Sequence, residues 1–296
     1  MNSAAPGKYL MLIVVALLAV GVYWQGLGGP LILDDFHNIG AYFDSETLTS
    51  DKLQDKLHSS SGRLGRPVSM ASFTASYFIC NDSVWCWKLH NLLIHIACSL
   101  LIFGLLKNIV QSPQVQGKSL EKIPGLVAVL WLLHPLHVST VLYLVQRMTQ
   151  LSALFVFAGL YAYTSIRLRH IKHGYGLAGI WLVIPVFVVL AAFSKENGVL
   201  LLPLLLMVEL VIFRFSCSEE AAHAFRRAFG VLVLLPMLAG LVILALNLDS
   251  LVLNAYHGRE FTLVERLLTQ PRILFEYILM ILIPQPSSMK FFYEGY

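Results

Sequence analysis

Six stretches of 18 or more residues in this chain contain no Asp, Glu, Lys or Arg at all: between Lys8 and Asp34, Lys88 and Lys107, Lys122 and Arg147, Arg147 and Arg167, Lys172 and Lys195, and Arg227 and Asp249. Runs of about 18 or more apolar residues are long enough to cross the ~30 Å hydrocarbon core of a bilayer as helices. Inside that core every backbone N–H and C=O must be satisfied within the protein, which restricts spanning segments to helices or closed barrels. The composition agrees: 57% of the 296 residues are hydrophobic and only 13% are charged, against roughly 25% charged in soluble domains. Half the usual surface charge is missing, which excludes a soluble domain. The expected fold is an all-α, polytopic transmembrane helical bundle. The net charge of +4 includes no dense basic footprint of the kind that binds nucleic acid.

About eight spans are expected, near 8–27, 88–107, 123–145, 148–166, 176–193, 199–215, 229–247 and 268–284. Pro135, Pro185, Pro203 and Pro236 are tolerable in such helices where neighbouring groups re-satisfy the freed backbone. The third span is expected to break or end at His134-Pro135. The first segment has small residues at Ala19-Val20-Gly21 that would suit a signal-peptide cleavage site; it is read as an uncleaved anchor. Lys8, Lys107, Lys118, Lys122, Arg167, Arg169, Lys172, Arg214, Arg226 and Arg227 fall in loops on one side. The positive-inside rule makes that side cytoplasmic and puts residues 28–87, one large loop, outside. In that loop, Leu48, Leu53 and Leu57 alternate with charges as in a short amphipathic helix, and Ser59 to Gly62 reads as a connecting loop. Residues 67–80 are apolar but too short to span, so an interfacial helix is expected. No internal repeat or low-complexity tract is visible. The C-terminal residues read as an interruption, so C-terminal truncation of the 1–296 module is expected.

Asp34 and Asp35 are the first candidates for chemistry. An acidic pair opening a helix is an ordinary capping arrangement. The functional alternative makes Asp34 a general base and gives Asp35 a supporting role, holding a divalent cation such as Mg or Mn through oxygen ligands. Arg147, Lys195 and Arg272 would suit a phosphate-bearing ligand, Arg through its planar fork and Lys as a point charge. Lys195 could instead pair with Glu196, Glu209 with Arg214, and Glu276 with Arg272 at i,i+4 spacing. His134 and His137 are three residues apart, yet Pro135 between them favours a structural role over metal ligation. His90 and His95 are read as hydrogen-bonding residues. Cys80 and Cys86 fall on the expected outer side, where a disulfide is permitted.

The ordered set is more specific than any member. It comprises the acidic pair, Gly65-Arg66-Pro67, Trp87-Lys88-Leu89-His90-Asn91, His134-Pro135-Leu136-His137, Gln146-Arg147-Met148-Thr149-Gln150, Ser194-Lys195-Glu196-Asn197-Gly198 and Arg266-Leu267-Leu268-Thr269-Gln270-Pro271-Arg272. In this order the chain, from about residue 30 to its end, resembles the membrane half of GT-C glycosyltransferases. It is most similar to the transmembrane and tetratricopeptide-repeat (TPR) O-mannosyltransferase group and its bacterial relatives. The resemblance implies transfer of a sugar from a polyprenyl-phosphate donor within the membrane lipid to a protein or glycan acceptor on the outer face. That face would be the periplasmic side of a bacterial inner membrane or, alternatively, the lumen of the endoplasmic reticulum. It implies a catalytic acidic residue in the first outer loop, matching Asp34 or Asp35, and basic residues at outer helix ends near the donor phosphate, matching Arg147 and Lys195. It also implies further spans and a repeat domain after this module. Where animal members carry a Glu soon after the His-Pro, this chain has Val138-Ser139-Thr140. A transporter or flippase of lipid-linked saccharides is the competing expectation, and an inactive truncated fragment a third.

Overall fold

The computed structural model describes residues 6–43, 65–115, 117, 120–256, 259 and 261–285, with side chains from 16 onward except at 251 and 255. The expected amphipathic helix over 48–57 and the Ser59–Gly62 loop lie outside the described residues. The fold is all-α: no strand occurs among the described residues. Among the described residues, five helical segments are long and apolar enough to cross a membrane: Val84–Val110, Leu144–His173, Leu177–Ser194, Glu196–Phe213 and Glu219–Leu246.

Two compact units are present, Met1–Val233 and Leu234–Tyr296. In the first, α1 (Pro6–Leu27) is followed by the short α2 (Asp34–Ile39), α3 (Pro67–Cys80) and the long α4 (Val84–Val110). Then come α5 (Ile123–Leu132), α6 (His137–Leu142), α7 (Arg147–His173), α8 (Ile180–Ser194), α9 (Leu201–Met207) and α10 (Glu219–Phe229). The second unit holds α11 (Leu235–Leu246), α12 (Leu248–Leu251) and α13 (Leu263–Leu282). Outward positions are apolar, as lipid contact demands: Leu17, Val22, Leu126, Leu182, Leu210 and Val211 are each more than half exposed. The 14-residue helix α3 coincides with the segment read as interfacial.

The segment 123–145 is not one span. Helix α5 ends at Leu132, the chain turns through His134-Pro135, α6 lasts six residues, and α7 starts at Arg147. The turn leaves carbonyls without helical partners, and α4 supplies them. Asn91 donates to the Val141 carbonyl at 3.2 Å and the His95 ring meets the Leu132 carbonyl at 2.9 Å. One turn further along, Ser99 donates to the Ala128 carbonyl at 2.9 Å. Positions 91, 95 and 99 lie on one face of α4, since residues four apart stack. Removed from water, the Leu132 and Val141 carbonyls at the broken helix ends would otherwise cost a desolvation penalty, and Ser99 adds a second bond to an intrahelical carbonyl. His95 is therefore a structural donor, and His137 packs its ring against His95 and Trp131, at 5.0 and 4.5 Å between centroids.

The opposite ends of α4 and α7 are tied together by a second polar group. Glu209, expected to pair with Arg214, pairs instead with Arg167 of α7, and both side chains are fully buried. Glu209 also accepts from the Tyr163 hydroxyl at 2.6 Å and from the Phe215 N–H at 3.2 Å. The swap follows from the π-helical turn at Val208–Phe213 and the left-handed backbone of Arg214, which point Glu209 inward and leave Arg214 outside. Nearby, Asn108 of α4 donates to Thr164 and Ser165 of α7 at 3.0 and 2.8 Å.

Candidate functional site

The site is built along residues 143–149, the stretch that joins α6 to the first turn of α7. Four partners from three separate parts of the sequence attach to it in order. Tyr143 meets Asp34, Val145 meets Asp35, Met148 meets Arg66, and Thr149 meets Lys195.

The acidic pair opens α2, where carboxylates are favoured by the unsatisfied N–H groups of the first turn. Leu33, before it, has the left-handed-side φ of 49°, which turns the chain sharply into the helix. The two neighbours then diverge. Asp35 is fully buried, with Oδ2 accepting from the Ile32 N–H at 3.1 Å and Oδ1 from the Val145 N–H at 2.8 Å. Burial raises its pKa, opposed by N–H groups of Val145, Ile32 and Leu144 and by the charge of Lys88. Lys88 is itself buried and donates to the carbonyls of Gly29 and Pro30 at 2.8 and 3.2 Å. Asp34 is exposed, and its N–H donates to the Tyr143 hydroxyl at 2.8 Å. The desolvated carboxylate of the pair is Asp35, not Asp34, the residue given the general-base role. Nor does Asp35 present an open oxygen to a cation, because its carboxylate is enclosed and engaged by backbone N–H groups. Among the described residues, the one set of three metal-ligating side chains within reach of each other is Cys80, Cys86 and His90.

Arg147 was expected to face a phosphate. It is 1% exposed. Its Nε donates to Asn91 Oδ1 at 2.7 Å, one terminal nitrogen to Ser76 Oγ and to the Ser72 carbonyl, and the other to the Trp87 carbonyl at 2.8 Å. The guanidinium lies over the rings of Phe73 and Trp87, at 4.9 and 5.4 Å from their centroids. It thereby fastens α3 and α4 to the start of α7. The sequence put Arg147 at a helix end beside lipid, but could not show that α3 folds over it.

The partly exposed cations attached to this segment are Lys195 and Arg66. Gly65 and Arg66 both have positive φ, 71° and 48°, a conformation that costs a residue with a side chain energy. That bend delivers Pro67 to the first turn of α3, where a missing N–H is harmless, and turns Arg66 toward Glu196. Nε and Nη2 of Arg66 donate to Glu196 at 2.9–3.3 Å, and Nη1 reaches the Met148 sulfur at 3.3 Å. On the other side, the Ser194 carbonyl accepts from Ser69 at 2.8 Å. The turn after α8 doubles back so tightly that a Cβ on Gly198 would lie 2.1 Å from the Ala191 carbonyl carbon. Lys195, held in that turn, donates to Thr149 at 2.7 Å. Burial and the neighbouring charge of Arg66 lower its pKa, offset in part by Glu196. Glu196 pairs with Arg66, and Lys195 leans on a neutral hydroxyl.

Arg66 was quoted within Gly65-Arg66-Pro67 but given no role; its cue was an Arg wedged between a turn glycine and a helix-opening proline. Arg272 lies in the second unit, 68% exposed, with Nε 3.8 Å from Glu276 at i,i+4 spacing. Cys80 and Cys86 are joined as a disulfide across the turn between α3 and α4. Known protein families, curated proteins and solved structures contain no match to this chain.

Proposed function

We propose that this chain is the membrane module of a GT-C-type glycosyltransferase that uses a polyprenyl-phosphate-linked sugar donor. The observation that supports this reading is that the backbone of Asp34, whose carboxylate is exposed, and the side chains of two partly exposed cations, Arg66 and Lys195, all attach to the single segment 143–149. Phosphate is met by one planar fork and one point charge, a pairing suited to its oxygens.

In this mechanism Asp34 accepts the proton of an acceptor hydroxyl as the oxygen attacks the anomeric carbon. The sugar–phosphate bond breaks, and the leaving lipid phosphate takes up its charge against Lys195, with Arg66 released from Glu196 to share it. Preorganised charges at a developing anion are the usual dominant source of rate enhancement. Asp35 and Arg147 act as positioning residues, holding α2 and the start of α7. If a divalent cation takes part, Asp34 is the carboxylate open to it. The Lys and Arg bias of the loops supports placing this end on the outer face. The bacterial inner membrane or, alternatively, the endoplasmic reticulum as location belongs to the same proposal. The test is sugar transfer from a polyprenyl-phosphate donor by the full protein and its Asp34→Asn and Lys195→Ala variants. Loss of turnover in the first and of donor affinity in the second supports the reading. Normal turnover in Asp34→Asn, combined with lost donor binding in Lys195→Ala, would make the protein a carrier of lipid-linked sugars instead.

A further inference from the structure

The groups around Arg147 extend outward in one chain of contacts: Arg147 donates to Ser76, Ser76 Oγ lies 2.8 Å from His90 Nδ1, and His90 Nε2 lies 3.8 Å from Cys80 Sγ. Cys80 closes the last turn of α3, while Cys86 and His90 occupy the first turns of α4 four residues apart, on one face. The ligating atoms of Cys80, Cys86 and His90 all lie within 4.8 Å of one another. We infer that, when the Cys80–Cys86 disulfide is opened, these three side chains form a site for a borderline-soft divalent cation of the zinc type. Disulfide and metal are then alternative states of one cluster.

The chemistry of the set fits. Two thiolates and one imidazole are the ligand types that zinc prefers, and tetrahedral bonds of about 2.0–2.3 Å put neighbouring ligand atoms roughly 3.5–3.8 Å apart. His90 Nε2 already stands at that spacing from Cys80 Sγ. The Cα atoms of the cysteines are 5.6 Å apart, so side-chain rotation is enough to part the sulfurs. A ligating histidine is normally oriented by a hydrogen bond from its other nitrogen. Ser76 supplies that partner, and the Arg147 guanidinium fixes Ser76 in turn. Cys86 and His90 are half-buried rather than enclosed, leaving a fourth position open to water. The cluster is built from the same α3–α4 contact that Arg147 clamps, so its state bears on the geometry of that contact.

Opening the disulfide with a phosphine breaks the S–S bond. The phosphine supplies two electrons and becomes its oxide by taking oxygen from water, and the water protons go to the two sulfurs. Metal binding then releases the thiol protons. The experiment uses the full chain in detergent, reduced with a phosphine, freed of reductant without oxygen and titrated with Co2+. A thiolate-to-cobalt charge-transfer band saturating at one ion per chain and displaced by Zn2+ is expected. The oxidised chain should give no band. Ser76→Ala should weaken binding about tenfold, as removal of an orienting partner does, and His90→Ala more. Cys80→Ser retains Cys98 and Cys217, so it separates this site from the remaining thiols; Cys86→Ser, at a less buried position, gives the same comparison if Cys80→Ser fails to fold. A reduced chain without the band overturns the inference, as does full affinity in either cysteine variant or in His90→Ala.

Discussion

Asp34 and Asp35 share a peptide bond and have opposite surroundings, one exposed to solvent, the other enclosed with both carboxylate oxygens engaged by backbone N–H groups. The pair therefore separates by role under the same substitution. Asp34→Asn should leave thermal stability unchanged and cut glycosyl transfer by about a hundredfold or more, the lower end of what a general base contributes. Asp35→Asn turns one acceptor into a donor facing a backbone N–H. Its thermal stability should fall, by about 1–3 kcal/mol for the N–H left unpaired. Unfolding curves of the two variants in one detergent distinguish them.

Arg147→Ala should behave as a core mutation. It strips hydrogen bonds from Asn91, Ser76 and two carbonyls, at about 1–3 kcal/mol for each buried group left without a partner. Thermal denaturation should show a loss of several kcal/mol, with donor affinity lost only as the fold is lost. Arg66→Ala should do the reverse, lowering donor affinity while the protein stays folded, since its partner Glu196 keeps access to solvent.

Lys195 must be protonated to hold a phosphate, and its pKa is depressed. Donor binding should therefore weaken as pH rises through a range below that of an ordinary lysine, and remain intact at lower pH. Lys195→Arg should move this alkaline limb upward, because guanidinium stays charged throughout. Donor affinity measured against pH for both proteins checks the sign.

Gly198→Ala places a methyl against the Ala191 carbonyl. Overpacking of this type costs about 1–3 kcal/mol, and here it also displaces the turn that carries Lys195. A lowered melting temperature together with weaker donor binding is expected.

Orientation is tested by labelling a cysteine placed at Ser45 in a background without native thiols. Modification by an impermeant reagent from the outer side is expected; modification only after the cytoplasmic side is opened would reverse the topology.

Helicity was legible because charge-free runs leave a chain few alternatives; the number of spans was not, since among the described residues five segments, against about eight expected, are long and apolar enough to cross a membrane. The break at His134-Pro135 was legible too, since proline removes an N–H and obstructs the preceding turn. The site was legible as a set of motifs and misleading as a list of side chains. Charge near a helix end reads the same whether it faces water or a neighbouring helix. Arg147 and Asp35 were thus assigned to ligands and are buried in cross-links, while Arg66 was passed over. Which way each of these points depends on contacts with residues 50 to 130 positions away, as in Arg147 with Asn91 and Arg66 with Glu196. Local pattern carries no record of such contacts.

Helix α7, about 40 Å long at 1.5 Å per residue, is fastened by a buried arginine near each end, Arg147 to α3 and α4, Arg167 to Glu209 and the Ser216 carbonyl. Such a tie-rod can neither slide nor rotate without uncovering a guanidinium. The turn carrying Lys195 and Glu196 is held in another way, by the Lys195–Thr149 hydrogen bond and by the partly exposed Arg66–Glu196 pair, so those two ties can be broken while both buried guanidinium groups stay covered.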